Sequence, residues 1–413
     1  MTDANPPPSR PRSSGVFSAR TLPLYGAFLV WGTGAGAQNL ARPLFAFELE
    51  GSIFLVTVLL AFSAVARLVA APITGFMTDR WGRRPLLIVG AGIRGATGIL
   101  SFFADTYMEF FVLEFIGGMG IAMWNTSANI LIADVTEPSV RGRVVAMRGM
   151  SMRAGQFTGP LLGALIAVFF DIRTIFLVNG ISKFLTLLIA YSLIKESREE
   201  PAAGAPSRLR PRLTLSAVRP FLTRTFILVI LATFAISTMG QGVFNGLLPI
   251  YAQELANLDE AGIGTLIGIG GFISVVVAFP SGMVSDGYGR KFALVPGLAL
   301  LAVSAYLLSH GDNYTMLLIM VSVYGVAWGI SQGTAQTYAM DISPAQQRGT
   351  FLGVWSLFQA AGGFVSPLVV GGLAEWWSFS NTFIAVAVWL AVSALLIALF
   401  APETRWRGAP RGP

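Results

Sequence analysis

Gly75, Asp79, Gly82, Arg83 and Arg84 recur as Gly282, Asp286, Gly289, Arg290 and Lys291, each 207 positions further along the chain. The offset persists far from that stretch. Tyr107 answers to Tyr314, Asp134 to Asp341, Arg141-Gly142 to Arg348-Gly349, and Gly155 and Pro160 to Gly362 and Pro367. A period this long is half a molecule rather than a solenoid unit. Whatever the first half folds into, the second must fold into again, and the two are joined near residue 200.

The solvent of each half follows from its polarity. Of the 413 residues, 54% are hydrophobic and only 12% charged, and mean hydropathy is +0.67. That balance is far from a soluble domain and fits a polytopic membrane protein. There is no cysteine, which excludes disulfides, thiolate metal sites and cysteine nucleophiles. The single histidine, His310, sits beside Gly311 and Asp312 in a loop-like stretch, a poor setting for a metal site or proton relay. No catalytic constellation, nucleotide-binding glycine loop or sizeable extramembrane domain is evident, so an enzyme, a receptor and direct use of ATP are all disfavoured. The expectation is no catalytic residues, no metal and no cofactor, with a proton gradient as the energy source.

About 20 apolar residues cross a bilayer. On that scale helices are expected near 22–46, 52–78, 85–104, 107–133, 142–170 and 174–194, and near 225–253, 261–285, 292–309, 314–340, 349–374 and 380–401. The expected fold is therefore an all-α membrane protein with twelve transmembrane helices in two homologous six-helix bundles, 22–194 and 225–401. Residues 1–21, rich in Pro, Ser and Arg, read as a disordered tail, 195–224 as a linker and 402–413 as a second tail. The linker reads as a charged tether, or as a short amphipathic helix around Leu213 to Val218. If both termini are cytoplasmic, that side carries 21 of the 28 Lys and Arg, and the opposite loops hold little more than Arg42 and Arg173. The net charge of +7 thus follows topology rather than nucleic acid. The 25 Arg against 3 Lys hint at a GC-rich bacterial genome and a bacterial inner membrane.

Two sixfold halves, a G-x-x-x-D-R-x-G-R-R stretch after the second helix and its echo after the eighth resemble the major facilitator superfamily over nearly the whole chain. The resemblance implies that Gly75, Asp79, Arg80, Gly82, Arg83 and Arg84 form a conformational latch, with Asp79 contacting Arg141 of the following loop. Asp286, Arg290, Lys291 and Arg348 form its counterpart, weakened because Gly287 stands where Arg80 does. Gly155-Gln156-Phe157-Thr158-Gly159-Pro160-Leu161-Leu162-Gly163-Ala164 is similar to the helix-five motif of the family's drug:proton antiporters, which points to export. Close helix packing at Gly155, Gly159, Pro160 and Gly163 accounts for much of the same pattern.

Ionisable groups inside the membrane are costly and therefore informative. Glu114 lies nine residues after Asp105, roughly 13 Å along a helix, and Arg94 lies at a similar depth, ten residues before Ala104. Glu114 is the candidate proton-coupling group, with Arg94 or Arg67 as partner; a static pair that only holds the half together is the competing reading. The antiporter pattern places arginine where Glu114 stands in Glu114-Phe115-Ile116-Gly117-Gly118-Met119-Gly120, so coupling here needs a rearranged pair. Amides repeat as well: Gln38 answers to Asn245 and Asn125 to Gln332, with Asn129, Gln241 and Gln336 nearby. In the resembled fold these line a central cavity, where Trp124, Tyr324 and Trp328 offer stacking surfaces.

The reading is a secondary transporter working by alternating access, exporting amphipathic or cationic small molecules against protons, acting as a monomer in a lipid bilayer without nucleic acid. Proton-coupled uptake of a metabolite and flipping of a lipid or lysolipid are the alternatives.

Overall fold

The computed structural model describes residues 16–196, 221–344 and 347–404. Residues 1–15 of the first tail, the apolar part of the linker and most of the final tail lie outside them. Within the described residues the chain forms twelve spans: α1 (Leu22–Glu50), α2 (Ile53–Trp81), α3 (Arg83–Ser101), α4 (Tyr107–Val135), α5 (Pro138–Phe169) and α6 (Thr174–Leu193), then α7 (Arg224–Glu254), α8 (Glu260–Tyr288), α9 (Arg290–Leu308), α10 (Tyr314–Asp341), α11 (Arg348–Trp376) and α12 (Phe379–Phe400). Nine of these are long and apolar enough to cross a membrane. The other three, α1, α3 and α5, carry Arg42, Arg94, and Arg148 with Arg153. The chain is a multi-pass membrane protein.

Several spans start with a side chain that takes up an orphan backbone N–H. Ser52 accepts from Leu55 N at 3.2 Å, Asp259 from Gly262 N at 2.8 Å and Asn313 from Met316 N at 3.0 Å. Thr106 and Glu109 form a reciprocal capping box. α3 and α9 begin on glycines and have no such side chain of their own. A distant carboxylate supplies it: Glu196 accepts from Arg83 N and Arg84 N at 3.0 Å each, and Glu403 accepts from Lys291 N at 3.1 Å. Glu196 and Glu403 are themselves 207 residues apart.

This explains the glycine of each loop. Gly82 has φ +98° and Gly289 φ +119°, a conformation that side chains rarely adopt. A Cβ on Gly82 would lie 2.6 Å from the Glu196 carboxylate, and one on Gly289 2.4 Å from that of Glu403. Gly82→Ala is expected to cost about 1–3 kcal/mol, read as a lowered unfolding temperature in detergent; an unchanged melt contradicts the capping account.

One departure from regular geometry falls at the centre. α7 is π-helical over Thr238–Leu247, with ordinary α-helix on both sides. α1, its repeat partner, runs as α-helix from Leu22 through Glu50. That is a turn further than its apolar pattern predicts. Arg42, counted above with the opposite loops although it falls within the expected 22–46 helix, stands inside α1, a correction to the topology reading.

Candidate functional site

The two bundles meet along α5 with α8 and along α2 with α11. Contact is tightest toward the ends away from the repeated loops. A Cβ on Gly371 would overlap Thr57, and one on Gly268 would overlap Leu161. Between the bundles lies a cavity of about 420 Å³. It shares Arg67, Gln241, Trp328 and Gln332 with a second, more apolar chamber of about 650 Å³ between α2 and α11.

Behind the first cavity, α1 and α3 converge on Glu114 of α4, which is 1% exposed. Gln38 Nε2 on α1 donates to Glu114 Oε1 at 2.7 Å. Arg94 Nη1 on α3, itself 2% exposed, donates to the same oxygen at 3.0 Å. Arg42 Nη1 on α1 donates to Oε2 at 3.2 Å. Arg94 also donates to Gln38 Oε1, which closes a ring of polar contacts. At Glu114 itself all three bonds are accepted and none is donated, the pattern of an ionised carboxylate.

Arg94 is thus a partner of Glu114 and Arg67 is not: Arg67 Nη1 donates to Ser63 Oγ at 3.2 Å. The residue that sequence reasoning missed is Arg42. Its signal was there, because Arg42 follows Gln38 by four positions and so shares its helix face. Of the glycines after Glu114, Gly117 makes room for this network and Gly118 for the close approach of α2. A Cβ on Gly117 would sit 2.2 Å from Arg94 Nη1, and one on Gly118 2.8 Å from the Ser63 carbonyl oxygen.

Of the amides and aromatics expected in the cavity, Gln38, Asn125, Gln241, Asn245, Tyr324, Trp328 and Gln332 line it. Asn129 instead accepts from Arg148, and Gln336 is exposed outside it. Trp124 is fully buried and stacked on Trp31 at 4.9 Å, so it presents no face to the cavity. Gln241 and Asn245 both belong to the π-helical stretch of α7. π-helical insertions are frequent at functional sites.

The loop motif carries ion pairs that repeat between the two halves. Arg83 Nε pairs with Asp134 Oδ2 at 2.8 Å, and Arg290 Nε pairs with Asp341 Oδ2 at 2.8 Å, which repeats the contact at the 207-residue offset. Arg290 also pairs with Asp286. Arg141 Nη2 donates to the Ala133 and Thr136 carbonyl oxygens at 2.6 and 3.2 Å. Arg348 does the equivalent at the end of α10, donating to Met340 O at 3.3 Å and Ser343 Oγ at 3.0 Å. In α5, a Cβ on Gly155 would lie 2.4 Å from Leu29 O and one on Gly159 2.3 Å from Thr33 O. These glycines let α1 and α5 touch backbone to backbone.

A family model described as Major Facilitator Superfamily matches residues 24–367 and 231–411. The chain belongs to the major facilitator superfamily. Among its superfamily relatives, the multi-drug resistance efflux pump PmrA of Streptococcus pneumoniae is 24% identical over 365 residues, 88% of this chain and 87% of that one. The class C tetracycline resistance protein of Escherichia coli is 24% identical over 343 residues, 81% of this chain and 84% of that one. Among solved superfamily structures, a D-xylose-proton symporter superposes with a TM-score of 0.74 at 18% identity, covering 95% of this chain and 99% of that one. The chain is a transporter, not an enzyme.

Proposed function

We propose that this transporter exports amphipathic small molecules by alternating access, exchanging them for protons, as a monomer with both termini in the bacterial cytoplasm. The observation that carries the reading is a membrane-buried carboxylate, Glu114, held by Arg94, Arg42 and Gln38 directly behind a cavity between two repeated bundles. Protonation of Glu114 would remove the charge that satisfies both guanidinium groups, so arrival of a proton and rearrangement of α1 against α3 and α4 are one event. Export is supported by the names of the two curated relatives and by the helix-five motif; the contact between α1 and α5 explains its glycines without reference to direction.

The lining does not favour the cationic cargo expected from its amides and aromatics, because Arg42, Arg67, Arg94 and Arg153 all face it. The test is flux in proteoliposomes under an imposed pH gradient, with wild type against Glu114→Gln. The gradient is expected to drive wild-type flux, and the variant is expected to lose that response while keeping gradient-independent exchange. A folded variant that responds normally removes Glu114 from the coupling role.

A further inference from the structure

Guanidinium groups keep their charge at any pH a cell reaches. Four of them, Arg42, Arg67, Arg94 and Arg153, line the cavity together with Lys183, and among the described residues no Asp or Glu does. Glu114 satisfies Arg94 and Arg42 from behind the wall. Arg67 and Arg153 are left with neutral acceptors among the described residues: Ser63 Oγ at 3.2 Å and Gln332 Oε1 at 3.3 Å. Even with Lys183 set aside, four cations meet one carboxylate. Unpaired charge at membrane depth is expensive unless water or a counter-ion meets it.

Among the described residues, the opposite wall carries no charge. Phe244 on α7 stacks on Tyr324 of α10 at 3.9 Å with an 11° interplanar angle, and Tyr324 stacks on Trp328 at 5.5 Å and 25°. All three rings line the cavity. The first bundle therefore supplies a positive pole and the second a stack of aromatic rings that borders the cavity, across a volume of about 420 Å³ that suits one small molecule.

We propose that the cargo is a flat organic monoanion, an aromatic carboxylate or sulfonate. Its anionic group is held by Arg67 and Arg153, and its ring lies against Phe244, Tyr324 and Trp328. Arg67 borders both chambers, so the anion meets it on the way from the apolar chamber to the inner cavity. An anion held there supplies the missing counter-charge, and the planar fork of a guanidinium matches a carboxylate. The inference rests on the cavity being the transport path.

The experiment is equilibrium binding of radiolabelled 2-naphthoate to the purified full chain in a neutral detergent. 2-Naphthalenesulfonate, 2-naphthylmethanol and 2-naphthylmethylammonium serve as competitors of matched shape. Naphthoate is expected to bind, to be displaced by the sulfonate, and to resist the ammonium compound. Arg67→Gln and Arg153→Gln are each expected to weaken binding roughly tenfold or more, with Arg67→Lys retaining most of it and the outlying Arg143→Gln unchanged. Equal or tighter binding of the ammonium or the alcohol overturns the proposal. So does no naphthoate binding at millimolar concentration, or unaltered affinity in a folded Arg67→Gln/Arg153→Gln protein. Naphthoate binding that depends on these arginines without any flux in liposomes upholds the recognition and sinks the transport reading instead.

Discussion

Glu114→Ala is expected to destabilise the protein by about 3–5 kcal/mol, with a lowered unfolding temperature in detergent. The change removes the carboxylate that pairs with both Arg94 and Arg42 and leaves the two guanidinium groups without it where water is scarce. Gln38 loses the acceptor for its amide as well. Since the four residues belong to α1, α3 and α4, the damage falls on the packing of the first bundle. Glu114→Gln retains the size and one acceptor oxygen, so its loss is expected to be smaller. In the Glu114→Leu/Arg94→Leu double variant part of the loss should return, because one of the two unpaired charges goes with its partner. A Glu114→Ala protein that melts with wild type means that the network does not hold these helices together.

Glu375→Ala is expected to shift the balance between the transporter's two faces roughly tenfold. The Glu375 carboxylate, at the end of α11, accepts from Ile53 N at 2.9 Å and Phe54 N at 3.3 Å, the first two amides of α2. One half of the protein thus caps a helix of the other. An anion at a helix N-terminus with charge-assisted hydrogen bonds contributes about 1–1.5 kcal/mol at a surface site. The stacking of Phe54 on Trp376 and the close approach of Gly371 to Thr57 reinforce the same joint. All of these contacts break together if α2 and α11 part at this end, so their energy counts for one state only. The chain has no cysteine, so spin labels at Phe103→Cys and His310→Cys, in the loops after α3 and α9, can follow the separation directly. The long-distance population is expected to grow in Glu375→Ala. Unchanged populations mean that the cap does not bias the states.

The twelve helices and their sixfold pairing were legible because the 207-residue offset pairs α1, α3 and α5, whose charges interrupt their apolar runs, with the more apolar α7, α9 and α11. Partners across the fold were harder to read. Asp134 and Asp341 stood out as repeat markers, yet their arginines lie 51 residues earlier and only the packing of α3 on α4, and of α9 on α10, brings them together. Glu196 and Glu403 fell in segments read as tether and tail. Their role as caps depends on the ends of α6 and α12 returning beside α3 and α9. Arg42 was counted with the loop charges although the expected helix at 22–46 already ran through it, because a charge reads more readily as a topology marker than as part of a membrane span. The π-helical turn of α7 is a change in hydrogen-bond register, and no composition or periodicity of ten residues records that. Charge was legible as a count but not as a direction: only the structure turns Arg42, Arg67, Arg94 and Arg153 toward one cavity and puts Glu114 behind them.

The central claim is that the cavity between the bundles opens in turn to either side of the membrane. Counterflow tests it most directly. Liposomes containing the purified protein and loaded with unlabelled 2-naphthoate are diluted into trace labelled 2-naphthoate without any ion gradient. The account predicts a transient accumulation of label above equilibrium, lost in Arg67→Gln. Label that never exceeds its equilibrium level, in liposomes whose protein binds naphthoate, contradicts alternating access through this cavity.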